Sequence, residues 1–236
     1  MIRSALLWIS VVISTIGLST LAFITFSFDP NGNIIHHYAR WWAKITLLVS
    51  GVRVKVRGLG FINREMPYIY MANHQGSYDI FALLSCLPVQ FRWIAKKELF
   101  AIPILGWAMR AANYISIDRS GRKKALESIE EAARKIRGGV SVVVFPEGTR
   151  SPDGSIQPLK RGGFTLALKS GVPIIPITIN GSRDVMPRES LRVRPGEIRI
   201  TIDRAIEPVP YYLRNRNILM EKVRMVLERN LAADGG

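Results

Sequence analysis

The chain opens on an apolar stretch without interruption: Ser4 to Phe28 carry no charge. As a helix this stretch is about 37 Å long, enough to cross a hydrocarbon core of about 30 Å with some tilt. Asp29-Pro30-Asn31-Gly32-Asn33 then breaks it. The run is longer than the apolar region of a signal peptide, and Thr25-Phe26-Ser27-Phe28 offers no small-x-small cleavage site, so the pattern predicts a retained anchor. From Ile34 to Val49 apolar residues recur at helical spacing, His37, Arg40 and Lys44 interleave, and Gly51 supplies a stop. A helix with Trp41, Trp42 and basic residues suits a membrane interface. A core-facing helix has the same spacing, and both readings stand. His36 and His37 read as interfacial polar residues rather than ligands. A re-entrant hairpin made of both stretches fits the same pattern.

The period then changes. Val52 to Arg57 alternates as a half-exposed strand, and Tyr68 to Met71, Phe91 to Ala95, Tyr114 to Ile117, Val140 to Phe145, Ile174 to Ile179 and Glu197 to Asp203 read as further strands. The Val140 run is wholly apolar, as a strand covered on both faces requires. Helices are predicted over Tyr78 to Leu87, in short pieces over Lys97 to Ala112 broken at Pro103, and over Arg122 to Arg137, Phe164 to Lys169 and Arg214 to Leu231. Alternation of this kind predicts an α/β fold: a single domain with a central mixed sheet flanked by helices, preceded by an N-terminal helical membrane anchor. The expected division is residues 1–50 for the anchoring helices and 51–236 for the α/β domain.

Composition narrows the chemistry. Lys and Arg exceed Asp and Glu by a formal +15, which points to anionic partners. One cysteine, Cys86, excludes an intrachain disulfide, and three histidines with no Cys cluster leave little for a metal site. Cys86 lies in an apolar helical stretch and reads as a buried thiol rather than a nucleophile. No nucleic-acid-binding module is visible, and the apolar N-terminus argues against one.

The working residues of an open α/β sheet sit just beyond its strands. Here those segments are Asn73-His74-Gln75-Gly76-Ser77-Tyr78-Asp79, Asp118-Arg119-Ser120-Gly121 and Pro146-Glu147-Gly148-Thr149-Arg150-Ser151. An imidazole held by a carboxylate is a general base. Five residues apart on one helix they would diverge by about 140°. The pair therefore requires His74 in the loop and Asp79 in the first helical turn; a structural histidine beside a capping aspartate has the same spacing. Arg119 and Arg150 each follow an apolar strand, Gly148 permits close backbone approach, and guanidinium groups grip phosphate in bidentate fashion. Lys96 and Lys97 are placed to add charge. The bland alternative for these cations is a solvated surface.

Asn73-His74-x₄-Asp79, Ile117-Asp118-Arg119, Phe145-Pro146-Glu147-Gly148-Thr149-Arg150-Ser151 and Val172-Pro173-Ile174-Ile175-Pro176 occur in that order. Together they resemble the four motif blocks of the 1-acylglycerol-3-phosphate acyltransferase family, and Lys96-Lys97-Glu98-Leu99 before Pro103 resembles its lead-in to the second block. The resemblance implies acyl transfer from acyl-CoA or acyl-carrier protein to the sn-2 hydroxyl of lysophosphatidate, giving phosphatidic acid, without metal or cofactor. It implies His74 as base, Asp79 as its orienter, and Arg119, Glu147, Gly148, Thr149 and Arg150 at the phosphorylated acceptor. Oxyanion donors are expected near Gly76 or Gly148. Membrane lipid is then a partner and nucleic acid is not. Arg40, Lys44, Arg53, Lys55 and Arg57 place the domain on the cytoplasmic face of the cell membrane. Glycerol 3-phosphate or another lysolipid as acceptor, and a non-catalytic binder of anionic lipid, are the readings that compete.

Overall fold

The computed structural model describes residues 2–187, 190–208 and 215–233. Arg214, at the expected start of the last helix, lies outside them. Two helices come first, α1 (Ile2–Thr25) and α2 (Asn33–Ser50). The α/β part follows: β1 (Val52–Arg57), β2 (Ile69–Ala72), α3 (Tyr78–Cys86), β3 (Arg92–Lys96), α4 (Leu105–Ala111), β4 (Ile115–Ile117), α5 (Arg122–Arg137), β5 (Val142–Val144), α6 (Arg161–Ser170), β6 (Ile174–Asn180), α7 (Ser182–Val185), β7 (Gly196–Ile202) and α8 (Asn215–Ala233).

The strands form one mixed sheet in the order β1-β7-β6-β2-β5-β3-β4. β6, β2, β5, β3 and β4 are mutually parallel, so their C-terminal ends share one edge. β7 runs antiparallel to β6 and parallel to β1. Every residue of β2 and β5 is buried, because helices cover both faces of the central strands. On one face Tyr70 and Ala72 pack with Leu83 of α3 and with Ala43 and Leu47 of α2. On the other, Ile69 and Met71 pack with Ala132 of α5, Phe164 of α6 and Val223 of α8.

The first two helices are joined to this core. Ala43 and Leu47 belong to it, and Leu7 of α1 joins the same cluster. Asp29 starts α2: its carboxylate accepts from Asn33 N at 2.8 Å and Ile35 N at 2.9 Å. The buried Arg92 of β3 donates to Asn31 O at 2.7 Å and Asn33 Oδ1 at 2.6 Å, which fastens the α1–α2 turn to the sheet. His36 is not an interfacial residue. It is fully buried, with Nδ1 3.2 Å from Tyr114 Oη and its ring edge-on to Phe91. Burial, and then the cations Arg92 and Arg40, bring its pKa down to about 3.

α1 keeps an apolar surface. Leu7–Phe28 is long and apolar enough to cross a membrane, and Ile9, Val12, Ile13, Ile16, Phe23 and Ile24 are exposed. It also touches the domain near both ends. Trp8 Nε1 donates to Leu191 O at 3.0 Å, and the rings of Phe23 and Phe26 lie 5.7 and 5.9 Å from Trp107.

Candidate active site

His74 is the second residue beyond β2, and Asp79 is in the first turn of α3, the arrangement that the five-residue spacing requires. Asn73 turns the chain out of the sheet. Its side chain pairs with the β6 backbone, donating to Ile179 O at 2.9 Å and accepting from Ile179 N at 2.7 Å. Asp79 is fully buried, and its Oδ2 lies 2.7 Å from His74 Nδ1. The same oxygen accepts from Gln75 N at 2.7 Å and Gly76 N at 3.0 Å. An oxygen so surrounded by donors is an ionised acceptor, so Nδ1 carries the proton it shares and Nε2 is left as the basic nitrogen. The imidazole plane is fixed from the side as well. Phe145 stacks on it at 3.9 Å and 10°, and Trp93 stacks in turn on Phe145.

Glu147 holds this loop through the backbone of His74. It is 1% exposed; Oε1 accepts from His74 N at 2.7 Å and Oε2 from Gln157 N at 2.9 Å. Burial pushes its pKa up, against the two backbone donors that favour the charge. Ser151 N donates to His74 O at 2.7 Å, so the loops beyond β2 and β5 are laced together from both sides. Both oxygens of the carboxylate expected at the acceptor are thus engaged by backbone N–H groups, one from each of two loops.

Cations gather at Gly148. This glycine has φ +71°, and a Cβ there would stand 3.1 Å from Lys160 Nζ and 3.2 Å from Arg119 Nη1. Arg119 therefore reaches the β5 loop although β3 separates β4 from β5 in the sheet. Lys160, absent from the sequence expectations, is brought in because its N–H donates to Pro146 O at 2.8 Å just before α6. A side chain at position 148 would occupy the space between the two cations. Arg150 donates to Ser77 Oγ at 2.7 Å, so Ser77 is spent on the arginine and not on capping α3. Thr149 is exposed between them, and Lys96 is exposed at the end of β3. Lys97 pairs with Asp118 at 3.0 Å. Bonds from the Ser120 hydroxyl and N–H, and then Lys97, hold the Asp118 carboxyl far below the usual range, which fixes the turn that carries Arg119.

Of the backbone N–H groups near Gly76 and Gly148, the glycines' own are engaged. Gly76 N donates to Asp79, and Gly148 N to Phe145 O at 3.0 Å. Burial pushes the Cys86 thiol up to about 12, which disfavours the thiolate that a nucleophile needs. No group of three His, Cys, Asp or Glu side chains suited to a metal occurs among the described residues.

Comparison with known proteins gives the family. The acyltransferase family model matches residues 53–180. A chloroplastic 1-acyl-sn-glycerol-3-phosphate acyltransferase of Brassica napus is 34% identical over 84% of this chain and 56% of its own length. The human 1-acyl-sn-glycerol-3-phosphate acyltransferase alpha is 37% identical over 68% of this chain and 56% of its own. The chain thus spans little more than half the length of these curated relatives. The crystal structure of the 1-acyl-sn-glycerophosphate acyltransferase PlsC from Thermotoga maritima superposes with a TM-score of 0.74 at 26% identity, covering 98% of both chains. A histidine–aspartate pair on a mixed α/β sheet, with basic side chains at the neighbouring strand ends and these similarities over most of its length, marks the chain as a member of the acyltransferase family.

Proposed function

We propose that this chain moves a fatty acyl group from a thioester donor, acyl-CoA or acyl-carrier protein, to the sn-2 hydroxyl of lysophosphatidate, giving phosphatidic acid. The observation that carries the reading is the His74–Asp79 pair beside Gly148, the glycine on which Arg119 and Lys160 converge. A hydroxyl is a weak nucleophile until a base removes its proton, and the phosphate of the acceptor needs fixed cations. His74 Nε2 takes the hydroxyl proton as the oxygen attacks the thioester carbonyl, and Asp79 stabilises the imidazolium. The tetrahedral adduct collapses with cleavage of the C–S bond, and the departing thiolate recovers the proton from Nε2. The ester and the free thiol are the products, and no acyl-enzyme forms. Arg119 and Lys160 bind the acceptor phosphate across Gly148, with Arg150, Thr149 and Lys96 on the rim. Glu147 acts through the backbone of His74.

The acceptor and product are lipids, which gives the apolar helix its purpose. α1 is held against the domain by Trp8 at one end and by Phe23 and Phe26 at the other, some 22 Å apart along the helix. A helix pinned at both ends meets the bilayer along its length, as half of a hairpin with α2, and leaves the domain on one side. Basic residues Arg40, Lys44, Arg53, Lys55 and Arg57 favour the anionic cytoplasmic leaflet. Thiol release by the detergent-solubilised chain, offered lysophosphatidate, other lysolipids and glycerol 3-phosphate with each donor, tests the reading. Highest turnover with lysophosphatidate is expected. No transfer to any phosphorylated acceptor would contradict it and favour a lipid-binding protein.

A further inference from the structure

We propose that the segment from Leu99 to Leu105, between β3 and α4, is a second membrane-dipping element that seats the rim of the active site in the lipid. This rests on the membrane reading above. The segment leaves the sheet edge that carries His74 and Glu147, immediately after Lys96 and Lys97. Leu99, Ile102, Ile104 and Leu105 are all exposed, at 39%, 44%, 58% and 43%. Four large apolar side chains within seven residues are an interaction surface, where scattered single ones would need no explanation.

The backbone presents them deliberately. Ile104 has φ +65° and ψ −59°, and Leu105 N donates to Pro103 O at 2.7 Å, which is the uncommon form of the three-residue turn. A β-branched residue at positive φ is strained. No buried contact accounts for the strain, since Ile104 is the most exposed of the four. The base beneath is rigid. Phe100 is buried, Arg110 Nη1 donates to its carbonyl, and Gly106 lies so close that a Cβ would stand 2.1 Å from the same oxygen. The result is a preformed apolar knob on a braced turn.

Its occupant is lipid rather than a protein groove because the knob continues the surface of α1. Trp107, two residues on, is in ring contact with Phe23 of α1 and with Phe26 just beyond it, and the exposed residues of α1 form the apolar face that meets the membrane. Two apolar elements joined through Trp107, with cations Lys96 and Lys97 behind them, match a bilayer's hydrocarbon and its headgroups. A lysolipid would then reach Arg119 and Lys160 without its acyl chain crossing water.

Depth quenching in the full-length protein tests this. Ile104→Cys in a Cys86→Ala background is labelled with bimane and reconstituted into phosphatidylethanolamine/phosphatidylglycerol vesicles. Lys135→Cys, near the end of α5 on the opposite face of the sheet, serves as reference. The label at 104 is expected to be quenched several-fold more than the reference by lipids doxylated near the headgroup, and shielded from aqueous iodide. Protein that floats with the vesicles but leaves label 104 as open to iodide as label 135 would overturn the inference alone. Protein that does not float would overturn the membrane reading and this inference together. Ile104→Gly, which accepts positive φ, is expected to fold as well as the parent and lose several-fold activity on lysolipid in bilayers but not on a short-chain soluble acceptor. Equal loss on both acceptors would also overturn the inference.

Discussion

At the scale of single residues, the side chains proposed to touch substrate differ from those that hold others in place. His74→Ala removes the base, and turnover is expected to fall by about 10²- to 10⁴-fold. Asp79→Ala should cost less, because an imidazole without its carboxylate is still basic; thiol release at saturating substrates measures both. Replacing Arg119 or Lys160 by Ala removes a charge-assisted bond worth roughly 1.5–3 kcal/mol. About 10- to 150-fold weaker use of the acceptor is therefore expected, with the donor's KM unchanged, in kinetics that vary each substrate in turn. The dyad was legible in the sequence because its geometry is local: a loop, a glycine and the first turn of a helix. Lys160 was not. It lies 41 residues from Arg119 in sequence, and only the bond from its N–H to Pro146 O carries it to Gly148. The role of Glu147 was hidden for the same reason, since its partners His74 and Gln157 belong to separate loops.

At the scale of elements, α2 is a core helix with one exposed face. The sequence pattern fitted an interfacial and a core-facing helix alike, because both need an apolar stripe, and periodicity does not say what covers it. The packing argues against an α/β domain that assembles without residues 1–50. Leu47 is 6% exposed among residues of β1 and β7, so Leu47→Ala is expected to cost about 2–5 kcal/mol. Removal of everything before Val52 is expected to unfold the domain; circular dichroism and thermal unfolding in detergent check both. His36 adds a pH signature. Its pKa falls from 6.5 to about 3 on folding, so the native state refuses a proton that the unfolded chain accepts. The stability from the neutral ring is complete above pH 6.5 and is lost on acidification, by on the order of 5 kcal/mol near pH 3. His36→Gln should flatten this acid limb of the unfolding profile. Strand and helix positions elsewhere were readable from period and capping: α5 occupies Arg122–Arg137 as its stripe of Ala and Ile predicts, and the apolar run at Val140 is a central strand. The short α7 was not, because four residues carry no period, and the antiparallel direction of β7 is a property of the whole sheet.

At the scale of the whole molecule, five parallel strands bring their ends to one edge, and the sheet thereby brings together the His74–Asp79 pair, Glu147, Arg119 and Lys160 from segments spread between Ala72 and Lys160. The hairpin of α1 and α2 is fastened to that same body, so a membrane that receives α1 fixes the height of the site above the lipid. Fold and placement together serve the proposed chemistry: a direct transfer in which donor and acceptor are bound at once and His74 moves one proton. The most direct measurement follows thiol release and phosphatidic acid formation side by side, with donor alone, with donor plus lysophosphatidate, and with the His74→Ala protein. Direct transfer predicts no thiol from donor alone, one thiol per phosphatidic acid when lysophosphatidate is added, and both products lowered by about 10²-fold or more in the variant. A burst of thiol from donor alone, or near-parental turnover without His74, would contradict it.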